Sequence, residues 1–303
     1  MPIADELRIS SRPSLREPVL IAAFRGWNDG GQGASLAGGY LAKTWEAERF
    51  AEIDPESFFD FQATRPHVSF VEGRTRHIEW PENAFYHAPI PGLERDAVLL
   101  LGIEPNLRWR DFTTMIVDLA SDLGVEMVIT LGSLLADVPH TRPSPVTGGA
   151  TDPELIERLG LQRSRYEGPT GIVGVLHDRC SRANVPSVSL WAAVPHYVSL
   201  APSPRAALAL CQRLGDILGT AIDVGELDEA AERYSEQVSD AVASDEETAA
   251  YVEELEQRAE ILDDEQELPS GESLAAELTR FLRDRERGNG GPEREERGPS
   301  EQP

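Results

Sequence analysis

The sequence predicts an α/β protein built from βαβ units and followed by an all-helical C-terminal extension. Three observations predict it. Short apolar runs alternate with amphipathic stretches over the first 225 residues, the pattern of strands joined by crossover helices. Ala97-Val98-Leu99-Leu100-Leu101 is apolar without interruption, as in a strand covered on both faces of a parallel sheet. From Glu226 onward the strand pattern stops, and apolar residues recur only at spacings of 3 and 4, the helical period.

The elements follow in order. Residues 1–17 form an N-terminal arm of mixed charge. Pro18 leads into a buried strand, Val19 to Phe24, then a glycine-rich turn, Gly26 to Gly33, and a helix to about Trp45. Strand candidates occupy 48–90, with a hairpin from His67–Val71 and Arg74–Trp80. After the Ala97–Leu101 strand, Phe112, Met115, Ile116 and Leu119 share one face of a helix over Leu107–Leu123, which Gly124 stops. Val125–Leu131 is the next strand. A Pro/Gly-rich stretch, 138–153, precedes a helix at 153–159, a strand near 171–176, a strand at Ser187–Val194 and a helix at Ser203–Leu218. The α/β domain is thus placed at 18–222.

The extension is assigned to 226–287. Leu227, Ala231, Tyr234, Val238 and Ala241 form one narrow stripe; Val252, Leu255, Ala259 and Leu262 form a second, and Leu274, Leu278 and Phe281 a third. Such stripes resemble a coiled-coil seam more than a wide core-facing surface. They imply helices that fold back on the body or pair with another subunit. Ser244 with Glu247 reads as a capping box opening the second helix, and Pro269-Ser270-Gly271 breaks the chain before the third. Residues 288–303, rich in Gly, Pro, Glu and Arg, read as a disordered tail.

Charge and composition exclude several function classes. The net charge of −25 opposes nucleic-acid binding, which requires a basic field. Residues 226–303 carry 25 acidic and 8 basic side chains, net −17, so the extension is either a solvated surface or a docking face for a basic partner. No stretch approaches the roughly 20 apolar residues that span a bilayer, and the first residues lack an apolar signal core. Cys180 and Cys211 are too few for a disulfide scaffold or a thiolate zinc site. A cytoplasmic protein is expected, without membrane or metal.

The glycine turn, Gly26-Trp27-Asn28-Asp29-Gly30-Gly31-Gln32-Gly33, matches neither G-x-G-x-x-G nor G-x-x-x-x-G-K-[ST]. Asn28 and Asp29 beside its amides disfavour a phosphate. It reads as a tight strand-to-helix turn with Asn28 or Asp29 as helix cap, or as a site for a small polar ligand. Neither Ser35 nor Ser133 lies in a G-x-S-x-G elbow. Asp137 to Ser144 is a loop stiffened by Pro139 and Pro143, with His140 and Arg142 expected at its surface. The six histidines include no metal-binding pair, and His177 and His196 read as satisfied strand-end histidines. Glu104, Arg108 and Trp109 follow the apolar strand at its carboxyl end, where open α/β sheets meet ligands or partners, and Trp and Arg dominate interfaces. No catalytic group and no cofactor is assigned.

Five ordered segments carry a resemblance. They are Phe24-Arg25-Gly26-Trp27-Asn28-Asp29-Gly30-Gly31, Gly102-Ile103-Glu104-Pro105-Asn106-Leu107-Arg108-Trp109, Leu131 to Pro143, Tyr166 to Gly174, and Val194-Pro195-His196-Tyr197-Val198. Over about 18–220 the chain resembles the PAC2 family of proteasome-assembly-chaperone-like proteins, and residues from 226 on resemble the helical extension of its bacterial members. The resemblance implies a three-layer αβα sandwich distantly similar to the nucleoside phosphorylase fold, and a homo-oligomer, with a trimer as the guess. In cells with proteasomes, members of the family hold 20S α-subunits during assembly. Some end in a hydrophobic-Tyr-X tail that inserts into proteasome pockets; this chain ends Pro299-Ser300-Glu301-Gln302-Pro303, so docking by that route is not expected. The resulting expectation is a non-catalytic, protein-binding protein. Its partner surface would be drawn from Trp27, Asn28, Asp29, Gly30, Gly31, Glu104, Arg108, Trp109, Asp137, His140, Arg142 and His196. The alternative is a small-molecule enzyme, ATP-grasp ligase-like or nucleoside phosphorylase-like. The ligase form is opposed by Lys43 being the only lysine, since Arg is a planar fork rather than a point charge. The phosphorylase form would use the glycine turn with Arg108 or Arg142.

Overall fold

A computed structural model describes residues 6–71, 75–150, 152–161 and 167–264. In chain order its strands are β1 (Leu7–Ile9), β2 (Val19–Arg25), β3 (Glu48–Ile53), β4 (His67–Val71), β5 (Thr75–Glu79), β6 (Asn83–Pro89), β7 (Asp96–Ile103), β8 (Met127–Ala136), β9 (Val146–Ala150) and β10 (Ser187–Pro195). The helices are α1 (Gly33–Thr44), α2 (Trp109–Asp122), α3 (Pro153–Leu159), α4 (Ile172–Arg182), α5 (Pro204–Leu218), α6 (Gly225–Ala243) and α7 (Glu246–Asp264).

Eight strands form one sheet in the order β1-β3-β6-β7-β2-β8-β10-β9, while β4 and β5 pair only with each other. The four central strands, β7, β2, β8 and β10, run parallel. The outer ones pair antiparallel. Alternate residues of β2 face opposite layers, as the two-residue strand period requires. Val19, Ile21 and Ala23 pack with Ala37 and Leu41 of α1 and Leu210 of α5. Leu20, Ala22 and Phe24 pack with Phe112 and Ile116 of α2 and Leu176 of α4. Helices on both faces explain why β2 is apolar at every position from Val19 to Phe24 and β7 from Ala97 to Leu101. The architecture is a three-layer α/β sandwich.

The extension folds back on the body. Leu227, Ala231, Tyr234 and Val238 are buried, and α6 packs against α5. The Tyr234 hydroxyl donates to the Leu200 carbonyl at 2.9 Å. Val252 and Leu255 of α7 are buried too. The third stripe, Leu274, Leu278 and Phe281, and the 288–303 tail lie outside the described residues. No described helix is long and apolar enough to cross a membrane.

Five local expectations are corrected. Residues 171–176 open helix α4, not a strand. Its buried side chains Ile172, Val173, Leu176 and Cys180 sit at spacings of 1, 3 and 4, but the β-branched pair between glycines is too short a run for periodicity to decide. The Pro/Gly-rich stretch contains the edge strand β9, paired antiparallel with β10, and the N-terminal arm supplies β1. His177 therefore lies in a helix, its ring 2.8 Å from Ser187 Oγ. Helix α7 is capped by Asp245, whose Oδ1 accepts from the amides of Glu247 and Thr248 at 3.0 Å each. Ser244 instead ends α6, donating to the Ala241 carbonyl at 2.7 Å.

Candidate functional site

Because β2, β7, β8 and β10 are parallel, their carboxyl ends put four loops on one edge: the glycine turn, the Glu104–Arg108 loop, the Asp137–Arg142 loop and the His196–Tyr197 corner. That edge is where open α/β sheets bind ligands. Here it divides into two halves.

In the first half the polar groups are consumed internally. Asp29 is buried, and its Oδ1 accepts from the amides of Ala34 (2.9 Å) and Ser35 (3.1 Å) while Oδ2 accepts from Ser35 Oγ (2.6 Å). It therefore satisfies the orphan amides of the first turn of α1. Ser133 Oγ donates to the Gly30 carbonyl at 2.8 Å. Glu104 bridges three elements. Its Oε2 accepts from the Trp27 amide (3.1 Å), and Oε1 accepts from Asn28 Nδ2 (3.1 Å) and from the Ile172 amide at the start of α4 (2.8 Å). A carboxylate at a helix N-terminus is favoured by the dipole as well as by the bond. Two glycines permit the clamp. A side chain at Gly26, whose φ is +142°, would reach 2.8 Å from Glu104 Cβ, and one at Gly171 would lie 2.3 Å from Asn28 Nδ2. Gly31 takes positive φ within the turn.

Two further expected residues serve the body. Arg108 donates to Glu6 at 2.5 Å and Asp111 at 2.9 Å, and its guanidinium lies over the Phe58 ring; the hydrogen bond to Glu6, and after it the one to Asp111, raises the Arg108 pKa. Trp109 is half-buried and donates to the Pro105 carbonyl at 2.5 Å. This half leaves two large apolar side chains exposed, Trp27 at 60% in the glycine turn and Leu107 in the neighbouring loop, with Arg25 and Arg110 exposed as well.

The second half is covered by the chain's own C-terminal helices. His140, expected at the surface, is only 3% exposed, because α6 closes over it. Its backbone amide donates to the Tyr197 hydroxyl at 2.7 Å; the same hydroxyl hydrogen-bonds Nδ1 at 2.8 Å, and Nε2 hydrogen-bonds Ser239 Oγ of α6 at 3.1 Å. Burial, and secondarily the Arg205 charge, lower its pKa and so favour the neutral imidazole. Asp137 Oδ1 accepts from the Tyr251 hydroxyl of α7 at 3.0 Å and lies 3.0 Å from His196 Nδ1. The rings of His196, Tyr197 and Tyr251 meet edge to face, 5.5 to 6.0 Å apart, a favourable quadrupole arrangement. Burial pushes the Tyr197 hydroxyl up to about 12. Arg142 Nη2 lies 3.5 Å from Glu260, and Thr141 donates to Glu256 at 2.6 Å.

The twelve expected residues thus share one edge but not one site. Sequence reading missed Tyr197, Ser239 and Tyr251. Tyr197 adjoins His196 in a segment already singled out; Tyr251 sits one position before the buried Val252 of the second stripe, and no local motif marks it.

The PAC2 family model matches residues 23–242, which include both halves of this edge. The chain belongs to the PAC2 family. A solved PAC2 family protein from Streptomyces avermitilis is 48% identical, with a TM-score of 0.72, covering 78% of this chain and 99% of its own. A Mycobacterium tuberculosis proteasome-assembly chaperone homologue is 45% identical, TM-score 0.71, covering 77% of this chain and 99% of that one. An archaeal proteasome activator from Pyrococcus furiosus shares the fold at 22% identity and a TM-score of 0.65, covering 78% and 97%. No curated protein matches. In this PAC2 chain the side chains of Asp29, Glu104, Asp137 and His140 are each hydrogen-bonded to other parts of the chain.

Proposed function

We propose that this PAC2 protein is a non-catalytic, assembly-chaperone-like binding protein of the cytoplasm that works as a homo-oligomer and takes a proteasome component as partner. One observation carries the reading. Three of the polar side chains expected at the sheet's carboxyl edge are spent on the fold, Asp29 as a helix cap, Glu104 as a three-way clamp and His140 beneath α6, while Trp27 and Leu107 remain exposed. An enzyme needs convergent polar groups free to meet substrate; a protein-binding surface needs exposed aromatic and aliphatic anchors. The proteasome direction is supported by the 45% identity to a proteasome-assembly chaperone homologue over nearly all of that chain.

The test combines two measurements. Purified proteasome α-subunits from the same cell are mixed with the protein and followed by native mass spectrometry; a defined complex with α-subunits, preceding assembled particles, is the expected result. A thermal-shift screen with ATP, nucleosides and phosphate should leave the melting temperature unmoved. A ligand that raises it by several degrees sinks the non-catalytic reading, and absence of any complex with α- or β-subunits sinks the partner.

A further inference from the structure

The topology of the sheet opens a crevice at the carboxyl ends of β2 and β7, which are adjacent and parallel. The chain leaves β2 for α1, on the face packed with Ala37 and Leu41. It leaves β7 for α2, on the opposite face with Phe112 and Ile116. Where neighbouring strands send their connections to opposite faces, the loops part, and open α/β sheets bind ligands in the crevice between them. Here it is a cleft of about 300 Å³ on the α1 side, open to solvent, at the lower end of ligand-pocket sizes.

Two glycines of α1 shape the cleft. A Cβ at Gly38 would lie 2.6 Å from Leu101 Cδ2 and 3.0 Å from Ala23 Cβ, so Gly38 lets the helix sit directly on the sheet. A Cβ at Gly39, which lines the cleft, would meet nothing within 4 Å. Ala23, Leu36 and Leu101 make the lining between them apolar.

The polar groups of the cleft are of two kinds. Ser35 Oγ is spent on Asp29, and Glu82 pairs with Arg49 at 3.1 Å. The Arg25 guanidinium, the Gln32 amide and the Tyr86 hydroxyl line the same cleft and have no hydrogen bond or ion pair among the described residues. Tyr86 is half-buried; burial, followed by the Glu82 charge, raises its pKa, so it stays a neutral donor. Gln32 is held at φ +53°, in the left-handed region that residues other than glycine rarely adopt. Arg25 thus differs from an ordinary exposed arginine in its place at the end of β2, beside an apolar lining and two further unspent groups.

These groups select a ligand class. A guanidinium pairs with a carboxylate or a phosphate through a two-bond fork. A dianionic phosphate fits poorly, because Arg25 is the only cation lining the cleft among the described residues and Glu82 adds negative charge. A carboxylate carries a single charge, and the apolar lining suits a hydrocarbon body. We propose that the β2/β7 crevice binds a monocarboxylate with an apolar body, the carboxylate on Arg25 with Gln32 and Tyr86 beside it, and the body against Leu36, Gly39 and Leu101. A free acid and the last residue of a peptide both present that chemistry. With Ser35 and Glu82 already engaged, the cleft binds and does not react. The proposal does not rest on the function above: loss of the proteasome complex leaves it standing, and an empty cleft leaves that complex intact.

The test is isothermal titration calorimetry of the full chain with N-acetyl-leucine, N-acetyl-phenylalanine and Gly-Ser hexapeptides ending in leucine or phenylalanine, each as free acid and as C-terminal amide. At least one free acid should bind saturably below about 1 mM, and its amide about tenfold more weakly or worse. Arg25→Met should cost a similar factor. Gly39→Leu should abolish binding by filling the cleft, and its melting temperature should not fall, since leucine outranks glycine in a helix. A peptide acid that binds about tenfold tighter than its N-acetyl counterpart identifies a peptide terminus as the source; equal binding identifies a free acid. No binding by any acid, acids and amides binding alike, or binding that survives both Arg25→Met and Gly39→Leu overturns the site. Displacement of the bound acid by an equal concentration of inorganic phosphate overturns the carboxylate assignment.

Discussion

Glu104 is the residue on which three elements of the carboxyl edge depend, so Glu104→Ala is the most informative single change. The substitution removes the acceptor of three donors, the amides of Trp27 and Ile172 and the side-chain amide of Asn28. Their environments differ. Trp27 is 60% exposed, and water replaces its lost partner; Asn28 and Ile172 are 2% and 0% exposed. Leaving a buried donor unsatisfied costs about 1.5 kcal/mol or more, so the two buried donors together cost about 3 kcal/mol. A carboxylate lost from the N-terminus of α4 adds a few tenths. For a chain of this size that destabilisation corresponds to a fall of about 6–12 °C in melting temperature. Glu104→Gln keeps one acceptor oxygen and sets its NH₂ against a donor, so its cost lies between wild type and Ala.

The assay is urea unfolding followed by circular dichroism at neutral pH, with thermal melts in parallel. The order of stability expected is wild type, then Gln, then Ala. If Glu104→Ala lies within about 0.5 kcal/mol of wild type, the carboxylate is not holding the glycine turn to α4, and Glu104 returns to being a group free for a partner or ligand. The same measurement therefore bears on the site as well as on the fold.

The remaining predictions concern the second half and the core. Burial lowers the His177 pKa from 6.5 to about 4; because the folded value lies below the unfolded one, the unfolded state takes the proton first as pH falls. His177 thus contributes stability above pH 6.5 that is lost progressively down to about pH 4, roughly 3 kcal/mol in all, and urea midpoints of His177→Gln should show a flatter profile across that window; equal slopes refute it. Burial pushes both Cys180 and Cys211 up to about 12, so neither should react with a disulfide reagent at pH 8 until urea unfolds the chain; a fast native thiol contradicts the packing. Tyr251→Phe removes the bond to Asp137 and should loosen α7 by about 1–2 kcal/mol, read as roughly tenfold faster hydrogen exchange in 246–264; unchanged exchange there means that the stripe alone holds the helix.

The parts of the structure legible in the sequence are those whose burial is settled locally. Ala97–Leu101 reads as a doubly covered strand because both of its faces must be apolar, and the α2 stripe reads as a helix because four residues share one face. Residues 172–176 did not read as a helix, since Ile172 and Val173 satisfy either period until Cys180 is known to be buried with them. Among the site residues, Asp29 as a cap was legible from its place between a strand and a helix. The burial of His140 was not. Nothing near Pro139 and Pro143 says that Ser239, 99 residues away, will meet its imidazole. Long-range closure of a loop by a helix leaves no local pattern in either segment.

That closure also explains the character of the extension. A seam as narrow as Leu227, Ala231, Tyr234 and Val238 buries little apolar surface for a helix of 19 residues, so hydrophobic packing alone holds α6 weakly. Polar ties make up the difference at named points. Lys43, the chain's only lysine, pairs with Glu226 at 2.5 Å, and Arg205 of α5 reaches Ser235 Oγ at 2.6 Å. His140 and Asp137 bind Ser239 and Tyr251. The polar residues of the second half are accordingly spent on seating α6 and α7, and the acids left over on the outer face have no role in that seating. The inner face of the helix pair is thus fixed by the body, while its outer face is predominantly acidic, broken by Arg233 and Arg258, which pair within their own helices with Glu229 and Glu254.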